Sequence, residues 1–126
     1  MEIGFLEREL MEILWSIGKA DARDVYEAVR KQRRTTYSTI NTTLVRLYEK
    51  GLLDRYKVKS RGGFKYVYCP VRSRKEFEEK RVKETLFDLF EKFEHATVSY
   101  LSETFDEDEE EIKELKKRLE EEMKND

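Results

Sequence analysis

The sequence predicts a mainly α-helical protein with one small antiparallel β hairpin, and three observations support this fold class. Apolar residues recur at helical spacing in both halves of the 126-residue chain. Between these helical regions, the aromatic and β-branched runs LLDRYKVKS and FKYVYCP surround the turn RGG. Aromatic residues make up 12% of the chain, which disfavours disorder because they can bury apolar surface. We therefore expect three helices, a hairpin and three further helices.

The first two helices are each predicted from one apolar stripe. A helix over residues 5–17 ends at Gly18, and a second helix begins after the N-cap Asp21 and continues to about Lys31. The stripes consist of Leu6, Leu10, Ile13, Leu14 and Ile17, and of Ala22, Val25, Tyr26 and Val29. The connection is only a few residues long, which suits two helices that meet at a steep angle.

A third helix is predicted over residues 37–50, with Ile40, Leu44 and Leu47 on its buried face and Gly51 as its left-handed C-terminal residue. Its β-branched threonines lower its helix propensity, so packing has to hold it in place. The hairpin follows. Three short helices and a hairpin form the winged helix-turn-helix arrangement, in which the third helix can enter the major groove and the hairpin can lie along the DNA backbone.

The outward face of the third helix carries side chains that suit direct base recognition. Asn can pair with adenine, Arg can pair with guanine, and Thr can contact a thymine methyl group. At about 100° per residue, this face collects Thr35, Ser38, Thr42, Val45, Arg46 and Glu49, with Thr39 and Asn41 beside it. Taken alone, the Ser and Thr residues at positions 35–43 are better explained as caps and decoration of an ordinary helix start.

Basic residues around the third helix favour a DNA interface over that alternative. Residues 1–75 contain 17 Lys and Arg against 9 Asp and Glu, whereas residues 76–126 contain 9 against 19. A nucleic-acid contact therefore belongs to the N-terminal part. The residues predicted to contact the DNA backbone are Arg33, Arg34, Lys50, Lys57, Lys59, Arg61 and Lys65, and Arg30, Lys31 and Arg55 lie near them in the sequence.

Three further helices are predicted after the hairpin. Ser73 and Glu76 have the spacing of a capping box at the start of a long helix, and Asp106 and Glu109 have similar spacing before the last helix. The apolar stripes are Val82, Leu86, Leu89, Phe90 and Phe93, then Val98, Leu101 and Phe105, then Ile112, Leu115, Leu119 and Met123. We assign the apolar load of the long helix, Leu86, Phe87, Leu89, Phe90 and Phe93, to a symmetric interface between two copies of the chain, with an internal core as the alternative. The narrow stripe of the last helix is expected to pack against a neighbouring subunit. The predicted dimer-interface residues are Leu86, Leu89, Phe90, Phe93, Leu101, Ile112, Leu115 and Leu119.

No constellation of reactive groups points to an enzyme. His95 is the only histidine and has no evident Cys or Ser partner, and the sequence contains neither a glycine-rich phosphate loop nor a cluster of metal ligands. Cys69 is the only cysteine, which excludes an intrachain disulfide. We therefore predict no catalytic residue, metal or cofactor. The lack of a membrane-length apolar stretch and the acids near the N-terminus, where a signal peptide is basic, predict a cytoplasmic protein without a membrane partner.

Three segments carry a specific resemblance to a known family. TTYSTINTTLVRLYEKGLLDRYK and FKYVYCPV are similar to the recognition helix and wing of the penicillinase repressor and methicillin-resistance regulator family, and ILWSIGKADARDVYEAV is similar to its first two helices. The resemblance implies a homodimeric repressor that binds a palindromic operator in double-stranded DNA and pairs through a C-terminal module of three helices. It places Ser38, Thr39, Asn41, Thr42 and Arg46 where the operator contacts of that family lie.

The chain departs from that family's known induction chemistries. Antibiotic-responsive members are cut at an Asn-Phe bond, and Tyr100-Leu101 occupies the corresponding position here, which argues against proteolytic induction. Copper-responsive relatives carry a cysteine-rich C-terminal motif, whereas Cys69 is well upstream of that position, so copper sensing by that chemistry is excluded.

The sequence thus predicts two domains with different tasks. Residues 1–72 are expected to form a winged-helix DNA-binding domain, and residues 73–126 a helical dimerisation domain. The predicted function is sequence-specific transcriptional regulation, with repression as its expected direction. The alternative is a winged helix that acts only as a protein–protein adaptor. Binding that weakens steeply with salt while retaining sequence preference would distinguish a DNA-binding regulator from an adaptor.

Overall fold

The computed structural model describes residues 3–125, and the chain divides into two compact units, Met1–Glu76 and Phe77–Asp126. The elements of the first unit are α1 Phe5–Ile17, β1 Ala20–Asp21, α2 Ala22–Arg30, α3 Tyr37–Glu49, β2 Leu53–Ser60 and β3 Gly63–Pro70. They are followed by α4 Arg74–Phe105, which begins in the first unit, and α5 Glu109–Lys124. This order of three helices, a hairpin and a helical C-terminal part confirms the predicted fold class.

The first unit is built around a core that all three of its helices share. The buried side chains come from each helix and from two strands: Leu10, Met11, Leu14, Val25, Val29, Ile40, Leu44, Leu47, Leu53 and Tyr68. Burying one such side chain stabilises the fold by roughly 1.5–3 kcal/mol. The core therefore compensates for the low helix propensity of the threonines in α3, and the three buried positions predicted for this helix are confirmed.

The ends of the helices follow the predicted signals. Asp21 is the N-cap of α2, and its Oδ1 accepts a hydrogen bond from the Asp24 N–H at 2.8 Å. Gly51 follows α3 with φ 81°, a left-handed conformation that glycine adopts without steric cost. The cap of α3 itself was not predicted. It is Thr36, whose Oγ1 accepts a hydrogen bond from the Thr39 N–H at 3.1 Å.

The hairpin forms one edge and the centre of a three-stranded antiparallel sheet with strand order β1-β3-β2. Its register pairs Leu53 with Pro70 at the base and Ser60 with Gly63 at the tip, which leaves a two-residue turn. Gly62, the second central residue of this turn, has φ 82°, a left-handed value that glycine adopts without steric cost. Strand β1 was not predicted, because two residues are too few to show an alternating pattern.

The second unit contains most of α4 together with α5. Helix α4 is interrupted at Phe93, which has the non-helical angles φ −139° and ψ 49°, so two of the three predicted C-terminal helices are its two segments. Its start matches the sequence signal, because the Ser73 hydroxyl accepts a hydrogen bond from the Glu76 N–H at 3.1 Å. The predicted N-cap of α5, Asp106, is wrong. Asp108 occupies that position, and its side chain accepts a hydrogen bond from the Glu110 N–H at 3.0 Å.

A small core holds the two helices of the second unit together. Phe90, Val98, Ile112 and Leu119 are buried, and Leu86, Phe87 and Leu101 pack against them. Lys116 Nζ lies 3.1 Å from Glu94 Oε1, and Lys83 Nζ lies 2.9 Å from Glu122 Oε2, so ion pairs also connect α4 with α5. None of the described helices combines the length and apolar character that crossing a membrane requires.

Candidate nucleic-acid interface

The predicted base-reading residues lie together on the open side of α3. Thr43 and the three apolar core residues Ile40, Leu44 and Leu47 are buried on the opposite side of this helix. All five predicted base-reading residues are exposed: Ser38, Thr39, Asn41, Thr42 and Arg46. A helix presents such a face only when its other side packs firmly, and the core of the first unit provides that packing.

The threonines of α3 divide into two groups. The Thr36 hydroxyl donates to Thr39 Oγ1 at 2.9 Å, and the buried Thr43 hydroxyl donates to the Thr39 carbonyl oxygen at 2.7 Å. Capping and decoration therefore account for Thr36 and Thr43. Within residues 3–125, however, no hydrogen bond engages the side chains of Ser38, Asn41 and Thr42. Their donors and acceptors are free to meet the edges of bases.

The seven residues predicted to contact the DNA backbone are not equivalent. Arg34, Lys59 and Arg61 are exposed and have no ion-pair partner among the described residues. Lys57 Nζ lies 4.3 Å from the ring centroid of Phe64, also on the wing. The remaining three residues form ion pairs with carboxylates, and the sequence did not predict these pairs. These ion pairs are Arg33 with Glu9 at 3.4 Å, Lys50 with Glu7 at 2.7 Å and Lys65 with Asp21 at 2.5 Å.

Glu7 connects α1 with the C-terminal end of α3. Desolvation by burial raises the pKa of its carboxyl, but the hydrogen bonds from Lys50 and the Gly4 N–H, with the charges of Lys50 and Arg46, outweigh that effect. The pKa of Glu7 is therefore lowered below its ordinary value of 4.5, and the group is ionised at neutral pH. An ionised Glu7 offsets part of the positive charge at this end of α3.

A cleft of about 440 Å³ lies between the first turns of α2 and α3 and the strand β3. Asn41 and Tyr37 line it from α3, Arg23 from α2, and Phe64 and Lys65 from the wing. The cleft therefore separates the predicted base-reading face from the wing. Its polar and aromatic lining combines the cations Arg23 and Lys65 with the carboxylate of Asp21, which holds Lys65 in an ion pair.

Comparison with known proteins identifies the family. Residues 3–121 match the model of a protein family described as Penicillinase repressor. The chain belongs to the penicillinase repressor family. It is 41% identical over 56 residues to the methicillin resistance regulatory protein MecI of Mammaliicoccus sciuri, covering 44% of this chain and 46% of that protein. It is 32% identical over 57 residues to the penicillinase repressor of Staphylococcus aureus, covering 45% of each.

The matched segment spans less than half the length of these two relatives. Among solved structures, the DNA-binding domain of the repressor BlaI in solution is 27% identical to this chain, with a TM-score of 0.49. That similarity covers 58% of this chain and 84% of the BlaI domain. The family itself follows from the match to the penicillinase repressor model, which extends over nearly the whole chain.

In this member of the penicillinase repressor family, the eight predicted dimer-interface residues fall into three groups. Phe90, Ile112 and Leu119 are buried within the single chain, in the core between α4 and α5. Leu86 and Leu101 are half-buried against that core. Leu89, Phe93 and Leu115 are exposed. Three further exposed apolar residues of the second unit were not predicted for the interface: Val82, Tyr100 and Phe105.

One basic residue of the wing has a role that its charge did not suggest. The guanidinium carbon of Arg55, on β2, lies 4.0 Å from the ring centroid of Tyr48 and 4.0 Å from that of Tyr66. Arg55 is half-buried, in contrast to the exposed Lys59 farther along the same strand. It therefore belongs to the packing between helix and wing. A pattern of tyrosines around a strand arginine is the only sequence signal that could have suggested this contact.

Proposed function

We propose that this chain is a sequence-specific, DNA-binding transcriptional repressor that binds a palindromic operator as a homodimer. The observation that carries the proposal is the exposed polar face of α3, on which Ser38, Asn41 and Thr42 lack hydrogen-bond partners among the described residues. A free polar face on a helix that is packed against a hydrophobic core is suited to the major groove. Membership of the penicillinase repressor family supports the same function.

Base recognition and backbone contact are assigned to different residues. Asn41 and Arg46 are of the residue types that pair bidentately with adenine and guanine, and Ser38, Thr39 and Thr42 can contact bases beside them. Lys59 and Arg61 near the tip of the wing, together with Arg34, are the cations with the most freedom to meet phosphates. Each phosphate that they neutralise releases counterions, so operator affinity should fall steeply with salt.

Self-association is assigned to the second unit. Its exposed apolar side chains include Leu89, Phe93, Tyr100 and Phe105, which the helices of one chain leave uncovered. Two copies that cover this surface would bring together two α3 helices, and a two-fold symmetric protein reads a two-fold symmetric operator. The acidic character of this unit favours its location away from DNA.

Selection of bound duplexes from a random DNA library tests the proposal. We expect a two-fold symmetric motif, and binding to that motif should weaken as salt rises while its preference over scrambled competitor is retained. A reporter gene with the selected motif across its promoter should then be repressed by the full chain. Equal binding to the selected and scrambled duplexes in dilute buffer would refute the proposal and leave the adaptor function as the explanation.

A further inference from the structure

Arg55 occupies a site between the recognition helix and the wing. It pairs with Tyr68 in the register of β2 and β3, so both side chains extend from the same face of the sheet. Tyr68 is part of the buried core, and Tyr66 lies on the same face two residues earlier. Tyr48, by contrast, belongs to the last turn of α3. The guanidinium of Arg55 is therefore in contact with two different elements.

The surroundings of Arg55 retain its charge. Hydrogen bonding to Tyr68 raises the pKa of Arg55, an effect that burial opposes and that Tyr66 and Tyr48 reinforce. A planar guanidinium with its carbon 4.0 Å from the centroids of two aromatic rings gains a cation–π interaction with each. Lysine has no planar group with which to stack on two rings in this way.

The aromatic contacts continue along the wing. Phe64 packs edge-on against Tyr66, with ring centroids 5.8 Å apart and an interplanar angle of 81°. Lys57 lies over the other end of this series, 4.3 Å from the Phe64 ring. A continuous set of side-chain contacts thus leads from the end of α3 through Arg55 towards the tip of the hairpin.

We propose that Arg55 is a positioning residue for DNA binding, which fixes the wing against the end of α3 so that Lys59 and Arg61 meet the DNA backbone at a set distance from the bases. This proposal rests on the proposed function. It assigns Arg55 a different role from that of the basic residues proposed to contact phosphate. A free strand arginine would point into solvent, whereas this one connects the two elements that have to approach DNA together.

A double-mutant cycle on the full chain tests the role of Arg55. Arg55→Met keeps most of the side-chain length and removes the planar charge, and we expect it to weaken binding to the selected duplex by roughly three- to tenfold. In a chain that carries Lys59→Ala and Arg61→Ala, the same change should weaken binding by less than about twofold, with no further change in the salt dependence. If Arg55→Met weakens binding by the same factor in both chains, Arg55 contacts phosphate independently of the wing lysine and arginine, and the proposal is overturned.

Substitutions at Tyr48 provide a matched test without a change of charge. Tyr48→Leu removes one of the two rings and should reproduce the loss seen with Arg55→Met, again only when Lys59 and Arg61 are present. Tyr48→Phe keeps the ring and should bind as the unaltered chain does. Normal binding by Tyr48→Leu, in a protein whose thermal unfolding shows that it is folded, would contradict the proposal.

A measurement without DNA separates this proposal from the proposed function. The Arg55 Nε–H resonance in the free protein should be shifted upfield by the two rings, and Tyr48→Leu should reduce that shift. If the shift is present but no duplex is bound specifically, the proposed function fails while the contact stands. If the shift is absent in a protein that binds its operator, the positioning role is refuted.

Discussion

Lys65 Nζ lies 2.5 Å from Asp21 Oδ2, while Oδ1 of the same carboxylate accepts the Asp24 N–H at 2.8 Å. One side chain thus caps α2 and holds the wing strand β3 at its other oxygen. Although desolvation by burial raises the pKa of Asp21, the hydrogen bonds from Lys65 and Asp24 outweigh it and lower the pKa below 3.8. Lys65 therefore stabilises the wing through this ion pair, which leaves its charge less available to DNA.

Asp21→Asn should lower the free energy of unfolding of the first unit and make that free energy less dependent on pH. Asn can still cap α2 but loses the ion pair, so we expect a loss of about 0.5–1 kcal/mol at neutral pH. Because the folded-state pKa of Asp21 is depressed, its contribution is present above the ordinary value of 3.8 and is lost as pH falls through the lower folded-state pKa. Urea unfolding between about pH 6 and pH 2 measures this effect.

Lys65→Met is the matched variant for this ion pair, because it removes the cation and leaves the cap intact. It should show a similar loss at neutral pH, and its response to acid should lie between those of Asp21→Asn and the unaltered chain, because Asp21 still accepts the Asp24 N–H. A fall in stability with acid that is as steep in both variants as in the unaltered chain would indicate that other carboxylates are responsible.

Substitutions on α3 and on the wing should affect DNA binding differently. Asn41→Ala or Arg46→Ala should relax base preference and weaken operator binding by about 1–3 kcal/mol each. Lys59→Ala should weaken the operator and random DNA alike. Lys117→Ala, an exposed change in the acidic second unit, serves as the control and should leave both affinities unchanged. Competition binding at fixed salt distinguishes these results, and equal losses on both duplexes for Asn41→Ala would reject its assignment.

Substitution of an exposed phenylalanine of the second unit should affect dimerisation, and substitution of a buried one should affect folding. Phe93 is 60% exposed and Phe90 is fully buried in the single chain. Phe93→Ala should weaken self-association while helicity is retained, whereas Phe90→Ala should destabilise the unit by about 3–5 kcal/mol. Sedimentation equilibrium and circular dichroism measure the two effects. A Phe93→Ala chain that remains as dimeric as the unaltered one would remove this residue from the interface.

Gly51→Ala should destabilise the first unit through the backbone. A Cβ at this position meets no atom within 4 Å, so the cost comes from its φ of 81°. We expect a loss of about 1–2 kcal/mol for alanine and a smaller loss for asparagine, which tolerates the left-handed region better. Thermal unfolding of the two variants gives this comparison. Equal stability of the alanine and asparagine variants would contradict the conformational explanation.

Local patterns predicted most of the fold. The apolar stripes of α1, α2 and α3 identified these helices, and the glycine turn identified the hairpin, because such signals are contained within a few residues. The exposed face of α3 followed from the same periodicity. The two-residue strand β1 and the exact cap of α5 were missed, since each depends on one or two residues in a region with several suitable candidates.

Contacts between distant residues account for what the sequence did not predict. Lys50 and Glu7 are 43 positions apart, and Lys65 and Asp21 are 44 apart, so no local pattern could indicate that these cations are paired. The apolar residues of the second unit show the same limit. A helical stripe identifies Phe90 and Phe93 as members of one apolar set, but only the folded structure shows that Phe90 is buried in the internal core while Phe93, at the break in α4, is exposed.

The internal hydroxyl bonds of Thr36 and Thr43 limit how much information α3 can carry. With these side chains committed to the helix itself, the exposed face of α3 offers the five predicted base-reading residues, which can specify a sequence of only a few base pairs. So short a base sequence recurs many times among the roughly 10⁶ or more competing sites of a genome. A lone subunit would spend most of its time at such chance occurrences, whereas the proposed dimer would read two half-sites together and so distinguish one promoter.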